Sequence, residues 1–294
     1  MEFELEFGDS NEVVDIQGVS STGYVYPVKN DKIALIDADT IIFGACVQHE
    51  YMVEEDIGVG EVNFVETWHL NIENAYNHAM DKINEILKYT GCKDFELHFT
   101  VGRESFRYTR VDTEYKANRL TSDIRTPAGL YELKQLFCSN LPTKAFAWKE
   151  WEADDIVVFK KVNHSEDYIL CAVDKDVLYT IEGEHFNYYS SAKYNIDMKF
   201  IQVDKKQAIR HHFIQTLMGD KGDNVIGLKG IGPAKAEKIL GNYEDIEVLW
   251  NKVVEAYNAA GRSEVDAIKN MRLVSMHQLV YNDNKEIEVK LWKI

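Results

Sequence analysis

Apolar positions run through this chain in two alternating rhythms as far as residue 203, and in a single rhythm after it. Four short, almost continuous apolar runs read as buried strands: KIALIDAD (32–39), FELHFTV (95–101), AFAW (145–148) and YILCAVD (168–174). HFNYYSS (185–191) reads as a further strand or hairpin arm. Between them the spacing turns helical over 71–91, stopping at Gly91, around TPAGLYELKQLFCSN (126–140), and from Glu152 through Val162. Strands that alternate with helices predict an α/β fold with a mostly parallel central sheet flanked by helices, and a site at the carboxyl ends of its strands. From Lys205 only helical spacing remains, over 205–218, 233–240, 244–259 and 263–281, before a strand-like EVKLW at 288–292. The expected organisation is an acidic N-terminal extension over 1–30 without clear periodicity, an α/β core over 31–203 and a helical subdomain over 204–294.

Composition changes this picture little. A chain of 294 residues with 45% hydrophobic content is ample for a sizeable core. Cys46, Cys92, Cys138 and Cys171 are far apart with no Cys-x-x-Cys or Cys/His spacing, and read as reduced thiols. No apolar run approaches the roughly 20 residues of a membrane span, and the acidic start lacks the basic segment of a signal peptide. The expectation is a soluble cytoplasmic protein with no membrane partner.

Charge changes it more. A net charge of −16 argues against a nucleic-acid partner, but its distribution does not. Residues 1–30 carry six acids against one base, whereas 204–238 carries seven Lys/Arg against four acids and 103–119 five bases against three. Local basic segments, together with bound cations, can hold a phosphate backbone despite the global sign.

Eight acids carry the chemistry: Asp37 in ALIDAD, Glu152, Asp154 and Asp155 in WEADD, Asp174 and Asp176 in VDKD, and Asp220 and Asp223 in MGDKGDN. Each cluster has an ordinary explanation alone, WEADD as an acidic first helical turn and VDKD as a solvated turn. Asp174 and Asp176 would share a side if extended. Together, at the ends of core strands, they point to a shared site for oxygen-ligated Mg²⁺ or Mn²⁺ rather than zinc. In GIGPAKAEKIL, Gly230 and Gly232 precede Pro233 at a first helical position, and Lys235 and Lys238 follow. Glycine amides and a helix N-terminus there can approach a phosphate. His211 and His212 have no ligands at metal spacing and are expected to be solvated or phosphate-facing; Tyr188 and Tyr189 are expected to pack.

ALIDAD, YKANR, EADD, VDKD and MGDKGDN…GIGPAKA, in this order over about residues 32–240, resemble the 5′-nuclease family: bacteriophage 5′–3′ exonucleases, flap endonucleases and the 5′-nuclease domain of bacterial DNA polymerase I. The resemblance implies a PIN-like 5′-nuclease core and a C-terminal helix–two-turn–helix. It also implies two divalent ions, with Asp37, Glu152, Asp154 and Asp155 around the first, Asp174 and Asp176 serving both, and Asp220 and Asp223 at the second. Lys116 and Arg119 match the basic pair on the scissile phosphate, beside the aromatic Tyr115. Residues 103–142 match the helical arch that admits a free 5′ end. Lys221, Gly230, Gly232 and Lys235 fall where the family grips duplex backbone, with K⁺ a candidate cation. The implied partner is DNA with a free 5′ end, a nick or a flap, or an RNA–DNA hybrid, and the implied state a monomer.

One position departs from the pattern. The family carries a further acid after the second core strand, where this chain reads HFTVGRESFR; Val101 or Gly102 stands there, and Glu104 or Asp39 is the candidate replacement. Two other readings remain. A branched-DNA binder without full metal competence fits that missing acid. A haloacid-dehalogenase-type phosphatase fits ALIDADT and MGDKGDN, with Asp37 as nucleophile and Asp39 as acid. It leaves YKANR, EADD and GIGPAKA unused, and it needs a strand where Phe213–Met218 reads as helix.

Overall fold

The computed structural model describes residues 26–56, 64–120, 125–194 and 196–294. Most of the expected 1–30 extension and residues 121–124 of the expected arch therefore lie outside the described residues. In chain order the elements up to residue 203 are β1 (Asn30–Asp37), α1 (Asp39–His49), β2 (Glu50–Asp56), β3 (Phe64–Leu70), α2 (Ile72–Thr90), β4 (Cys92–Thr100), α3 (Leu130–Asn140), β5 (Ala145–Trp148), α4 (Ala153–Asn163), β6 (Tyr168–Ala172), α5 (Lys175–Leu178), β7 (Gly183–Asn187) and β8 (Lys199–Val203). There follow α6 (Lys205–Met218), β9 (Gly219–Asp220), β10 (Val225–Ile226), α7 (Pro233–Leu240), α8 (Ile246–Ala259), α9 (Glu264–Val274), β11 (Leu279–Tyr281) and β12 (Ile287–Val289).

The central sheet runs β5-β4-β1-β6-β7-β8, parallel except for β8, which pairs antiparallel with β7. Because successive strand residues face opposite ways, β1 serves two layers. Ala34 and Ile36 pack with α1, α2 and α3, while Leu35 packs with Val157 and Val158 of α4 and with Val177 and Leu178 of α5. The helix over 71–91 forms as its pattern predicts. Asn71 accepts from the Asn74 amide at its start, and Gly91 closes it at φ 69°, a left-handed position that glycine takes without strain. A side chain at Gly91 would also meet the Val28 carbonyl 2.6 Å away. Helices α6 to α9 share a separate core built on Phe213, Leu217, Leu240, Trp250, Val253, Tyr257 and Met271.

Two expectations need correction, and one pair of strands is new. The helix read over 263–281 ends at Val274, because Ser275 is extended and Leu279–Tyr281 pairs antiparallel with β12. The strand read over 168–174 stops at Ala172: Asp174 turns to cap α5, accepting from the Asp176 amide at 2.8 Å, so the two acids lie in a helical turn rather than along a strand. The antiparallel pair β2–β3 was not foreseen, since its acids interrupt the apolar pattern. Arg125 ties that pair to the chain after YKANR, bonding Glu50 at 2.7 Å and lying 4.1 Å over the Trp68 ring.

Within the segment 103–142, α3 is a core helix: Leu133 and Phe137 are fully buried against the α1–α2 layer, and Phe137 stacks on Tyr76 at 4.4 Å. Phe137→Ala should cost about 3–5 kcal/mol, the usual loss for a buried phenyl ring. Tyr131→Ala on the exposed face of the same helix should cost about 0.5 kcal/mol or less. Urea unfolding of the two variants measures the difference.

Candidate metal centre

The sheet order places β1 beside β6, so Asp37 at the end of β1 and Asp174 just beyond β6 emerge at the same edge. Helix α4 starts at that edge. Glu152 is its N-cap, in a reciprocal capping box with Asp155, and Asp154 and Asp155 stand in its first turn. Asp220 and Asp223 arrive from the far side of the chain on the β9–β10 turn. One oxygen each from Glu152, Asp154 and Asp155 lies within 4.8 Å of the others.

The acids divide into two sets. Glu152, Asp155 and Asp223 already have cations. Arg107, whose side chain is 0% exposed, grips both oxygens of Asp155 at 2.6 and 2.7 Å and donates to Glu152 at 3.0 Å. It also donates to the carbonyls of Leu273 and Ser275. Lys116 pairs with Glu152 and lies 3.6 Å from Asp223, while Arg119 pairs with Asp223 at 2.5 Å. Burial alone would raise the Glu152 carboxyl, but Lys116 and Arg107 together pull it down to about 2.

Asp37, Asp154, Asp174 and Asp220 form the other set. Among the described residues no lysine or arginine makes an ion pair with any of them. Burial, then the charges of Asp39 and Asp174, push Asp37 up to about 7. Burial with Asp155 and Glu152 pushes Asp154 well above the carboxylate range. Crowding by surrounding protein, then Asp176, with smaller contributions from Asp223 and Asp220, raises Asp174, although its side chain still reaches solvent. Burial and Asp223 raise Asp220. A bound cation would relieve repulsion of this kind, and the all-oxygen donor set suits a hard divalent ion.

Sequence-distant motifs are locked together beside these acids. The Tyr115 hydroxyl lies 3.0 Å from a Glu152 oxygen and 2.8 Å from an Asp223 oxygen, its one proton shared between the two carboxylates. The Lys116 amide donates to the Asp223 carbonyl, Asn118 to the Lys221 carbonyl, and Asn224 to the Glu114 carbonyl. Lys116 holds φ at 57°, an uncommon conformation for lysine that this docking maintains. The hairpin itself depends on Gly219 and Gly227, whose backbones approach so closely that a Cβ on Gly227 would lie 2.2 Å from the Gly219 nitrogen.

Of the residues expected on duplex DNA, Lys221 and Gly230 are exposed and Gly232 half-buried on the connection from α6 to α7, and Lys235 is exposed in the first turn of α7. Lys235 bonds the Gly230 carbonyl at 2.8 Å, Gly230 has φ 74°, and no side chain caps α7, in contrast to α6, α8 and α9. At the position of the missing acid, Asp39 faces the end of β4: it accepts from the Thr100 amide at 3.2 Å and from buried Lys134 at 2.7 Å. Glu104 is exposed. His212 is buried rather than solvated, and His211 lies 3.2 Å from Asp176. Tyr188 is buried with its hydroxyl on the Asp37 carbonyl, while Tyr189 is exposed.

Arg107 is the residue that sequence reasoning missed. Its only local signal is its place directly after Phe106 in an otherwise polar segment, and both side chains prove to be buried. The Gly-Asp of MGDKGDN follows a helix, α6, and not a strand, which removes the basis of the phosphatase reading.

A mostly parallel central sheet flanked by helices is the fold of the T5 5′-exonuclease. Bacteriophage T5 5′-exonuclease with bound zinc ions superposes with a TM-score of 0.56 at 18% identity, over 83% of this chain and 89% of that chain. A T5 flap endonuclease in complex with DNA and metal ions gives 0.52 at 20% identity, over 68% of this chain and 80% of that one. In sequence, a 5′-3′ exonuclease of Buchnera aphidicola subsp. Schizaphis graminum is 26% identical over 206 residues, which is 67% of this chain and 70% of that protein. A DNA polymerase I of Caldicellulosiruptor bescii is 25% identical over 189 residues, 60% of this chain but 22% of that protein, so the chain matches less than a quarter of that relative's length. No family model matches. The resemblance to the 5′-nuclease family thus rests on both sequence relatives and fold.

Two outcomes follow from the division of the acids. Arg107→Met should lower the free energy of unfolding by about 3–5 kcal/mol, because it strands buried Asp155 and leaves Glu152 with Lys116 alone; urea titration reads the change. The second concerns pH. An acid whose folded pKa lies above its unfolded value holds a proton that the unfolded chain has released, so it stabilises at low pH and loses that contribution as pH rises through the folded value. For Asp37 the window runs from 3.8 to about 7. In a chelator the melting temperature should fall across this window, and saturating Mn²⁺ should flatten the fall.

Proposed function

We propose that the chain is a metal-dependent, structure-specific 5′ nuclease that hydrolyses DNA phosphodiester bonds at 5′ ends, nicks or flaps, as a 5′–3′ exonuclease, a flap endonuclease or both. The observation that carries this reading is the set of four carboxylates without lysine or arginine partners, Asp37, Asp154, Asp174 and Asp220, beside Lys116 and Arg119. Mg²⁺ or Mn²⁺ fits these donors. Asp37, Asp154 and Asp174 would hold one ion, with Glu152 and Asp155 adjoining, and Asp174, Asp176, Asp220 and Asp223 the other. Divalent ions held by such acids supply an activated water and charge neutralisation at the leaving oxygen.

The chain's own groups do the rest. Lys116 and Arg119 donate to the non-bridging oxygens of the scissile phosphate, shared from their present bonds to Glu152 and Asp223. Tyr115 fixes the relative position of Glu152 and Asp223. Lys221, the Gly230–Gly232 backbone and Lys235 hold duplex phosphates, supported by the exposed lysines and the uncapped start of α7. Contacts of this kind read backbone and shape, not base sequence.

The family resemblance assigns about 103–142 to the arch, although α3 within it packs in the core, and 204–294 to the DNA-gripping subdomain. A K⁺ ion at the α6–α7 connection, activity on RNA–DNA hybrids and a monomeric state are carried by the family resemblance. A cytoplasmic location is supported by four free thiols. Among the described residues no helix is long and apolar enough to cross a membrane.

The double variant Asp174→Asn/Asp176→Asn should lower cleavage of a 5′-labelled flap more than about 100-fold, while binding the same branched DNA within a few-fold of the unmodified chain. Normal cleavage by that variant would refute the assigned centre, and cleavage absent from the unmodified chain with either ion would leave a DNA binder.

A further inference from the structure

The acids at the carboxyl edge are not equally free to turn. Asp176 lies on α5, a helix of four residues, too short to be stable without tertiary contacts. Histidines hold it at both ends. From α6, His211 places its Nε2 3.2 Å from the Asp176 Oδ1. At the other end, His277 donates from Nε2 to the Thr180 carbonyl at 2.7 Å. His212 lies between them, its ring edge-on to His211 at 6.1 Å and to His277 at 5.2 Å, its Nε2 accepting from the Met276 amide. The His211 ring is itself fixed by stacking on Tyr179 of the same turn, at 6.0 Å and 28°.

We propose that His211 is a positioning residue for Asp176. A carboxylate only accepts, so the His211 Nε2 carries the proton and occupies one oxygen. The other oxygen is not engaged by His211, and Asp176 is near enough to Asp220 for its charge to act there. Since the Asp176 amide is held by Asp174, main chain and side chain of this ligand are both pinned before any cation arrives. Removing such a donor allows the carboxylate to rotate, and its re-ordering then subtracts from cation binding. The inference rests on Asp176 being a metal ligand, and it adds what sets the affinity there. Both side chains are partly exposed, at 17% and 23%, so the contact is not a buried structural pair whose loss would unfold the chain.

The test is Mn²⁺ binding by the full chain in calorimetry, with melting temperature measured alongside. His211→Phe retains a ring against Tyr179 but lacks the N–H; it should weaken Mn²⁺ binding about 10-fold with the melting temperature unchanged. His211→Gln, which can place an N–H where Nε2 stands, should restore most of the affinity. Unaltered binding by His211→Phe, or equal weakening by both variants, would overturn the role. Asp176→Asn separates this from the underlying reading. If it binds Mn²⁺ as the unmodified chain does, Asp176 is no ligand and the metal assignment fails; if it loses binding while His211→Phe does not, only the role of His211 is lost.

Discussion

Repulsion between carboxylates at one edge of the sheet is the constraint to which the rest of the structure answers. Two such charges about 4 Å apart cost roughly 4 kcal/mol at an intermediate effective dielectric, a large share of the stability of an ordinary domain. The chain meets this cost in two ways. Arg107, Lys116 and Arg119 neutralise Glu152, Asp155 and Asp223 from within. Asp37, Asp154, Asp174 and Asp220 make no ion pair with lysine or arginine among the described residues, and burial together with neighbouring acids raises their pKa values. Internal pairing makes the acidic edge foldable, and the uncompensated remainder gives it affinity for cations.

Arg107 matters beyond its charge. Its guanidinium joins the start of α4 to the carbonyls of Leu273 and Ser275, where α9 ends. The core sheet and the C-terminal helices are therefore coupled through a buried ion pair rather than through apolar packing alone. The β9–β10 turn makes a second connection, since it carries Asp220 and Asp223 while bonding to Glu114, Lys116 and Asn118. A group that moves the turn moves Lys116 with it, so the acids from the helical region and the bases from the segment after β4 behave as one unit.

Much of this was legible in the sequence, for identifiable reasons. The core strands are buried on both faces and leave near-continuous apolar runs; α2 and α7 show clean helical spacing; and all eight acids fall in short local motifs. What was hidden depends on partners remote in sequence. Arg107 is an unremarkable basic residue until Asp155, Leu273 and Ser275 surround it. The bend at Asp174 follows from a side-chain cap that competes with an extended backbone. The end of α9 at Val274 reflects a pairing with Ile287–Val289 that periodicity does not encode. Lys134 reads as the polar face of a helix, yet it is buried and bonds Asp39 and the Thr100 carbonyl. That contact puts an acid from β1's side and a lysine from α3 where the family pattern places a single acid after β4.

For a chain of net charge −16 to act on DNA as proposed, its negative charge must be kept away from the phosphate path. The structure concentrates charge instead of diluting it. The acidic excess of the centre lies where divalent ions would be held, and Lys221, Lys229, Lys235 and Lys238 are exposed along the stretch from the β9–β10 turn into α7. Long-range repulsion extends only about 8–10 Å at physiological ionic strength, so these lysines act on a backbone at contact range while the remote acids are screened. Cations in the acidic centre would reverse the local sign next to Lys116 and Arg119, and the same carboxylates that repel a phosphate when bare would then present it with positive charge. Metal occupancy and attraction for the scissile phosphate are, on this geometry, one electrostatic event.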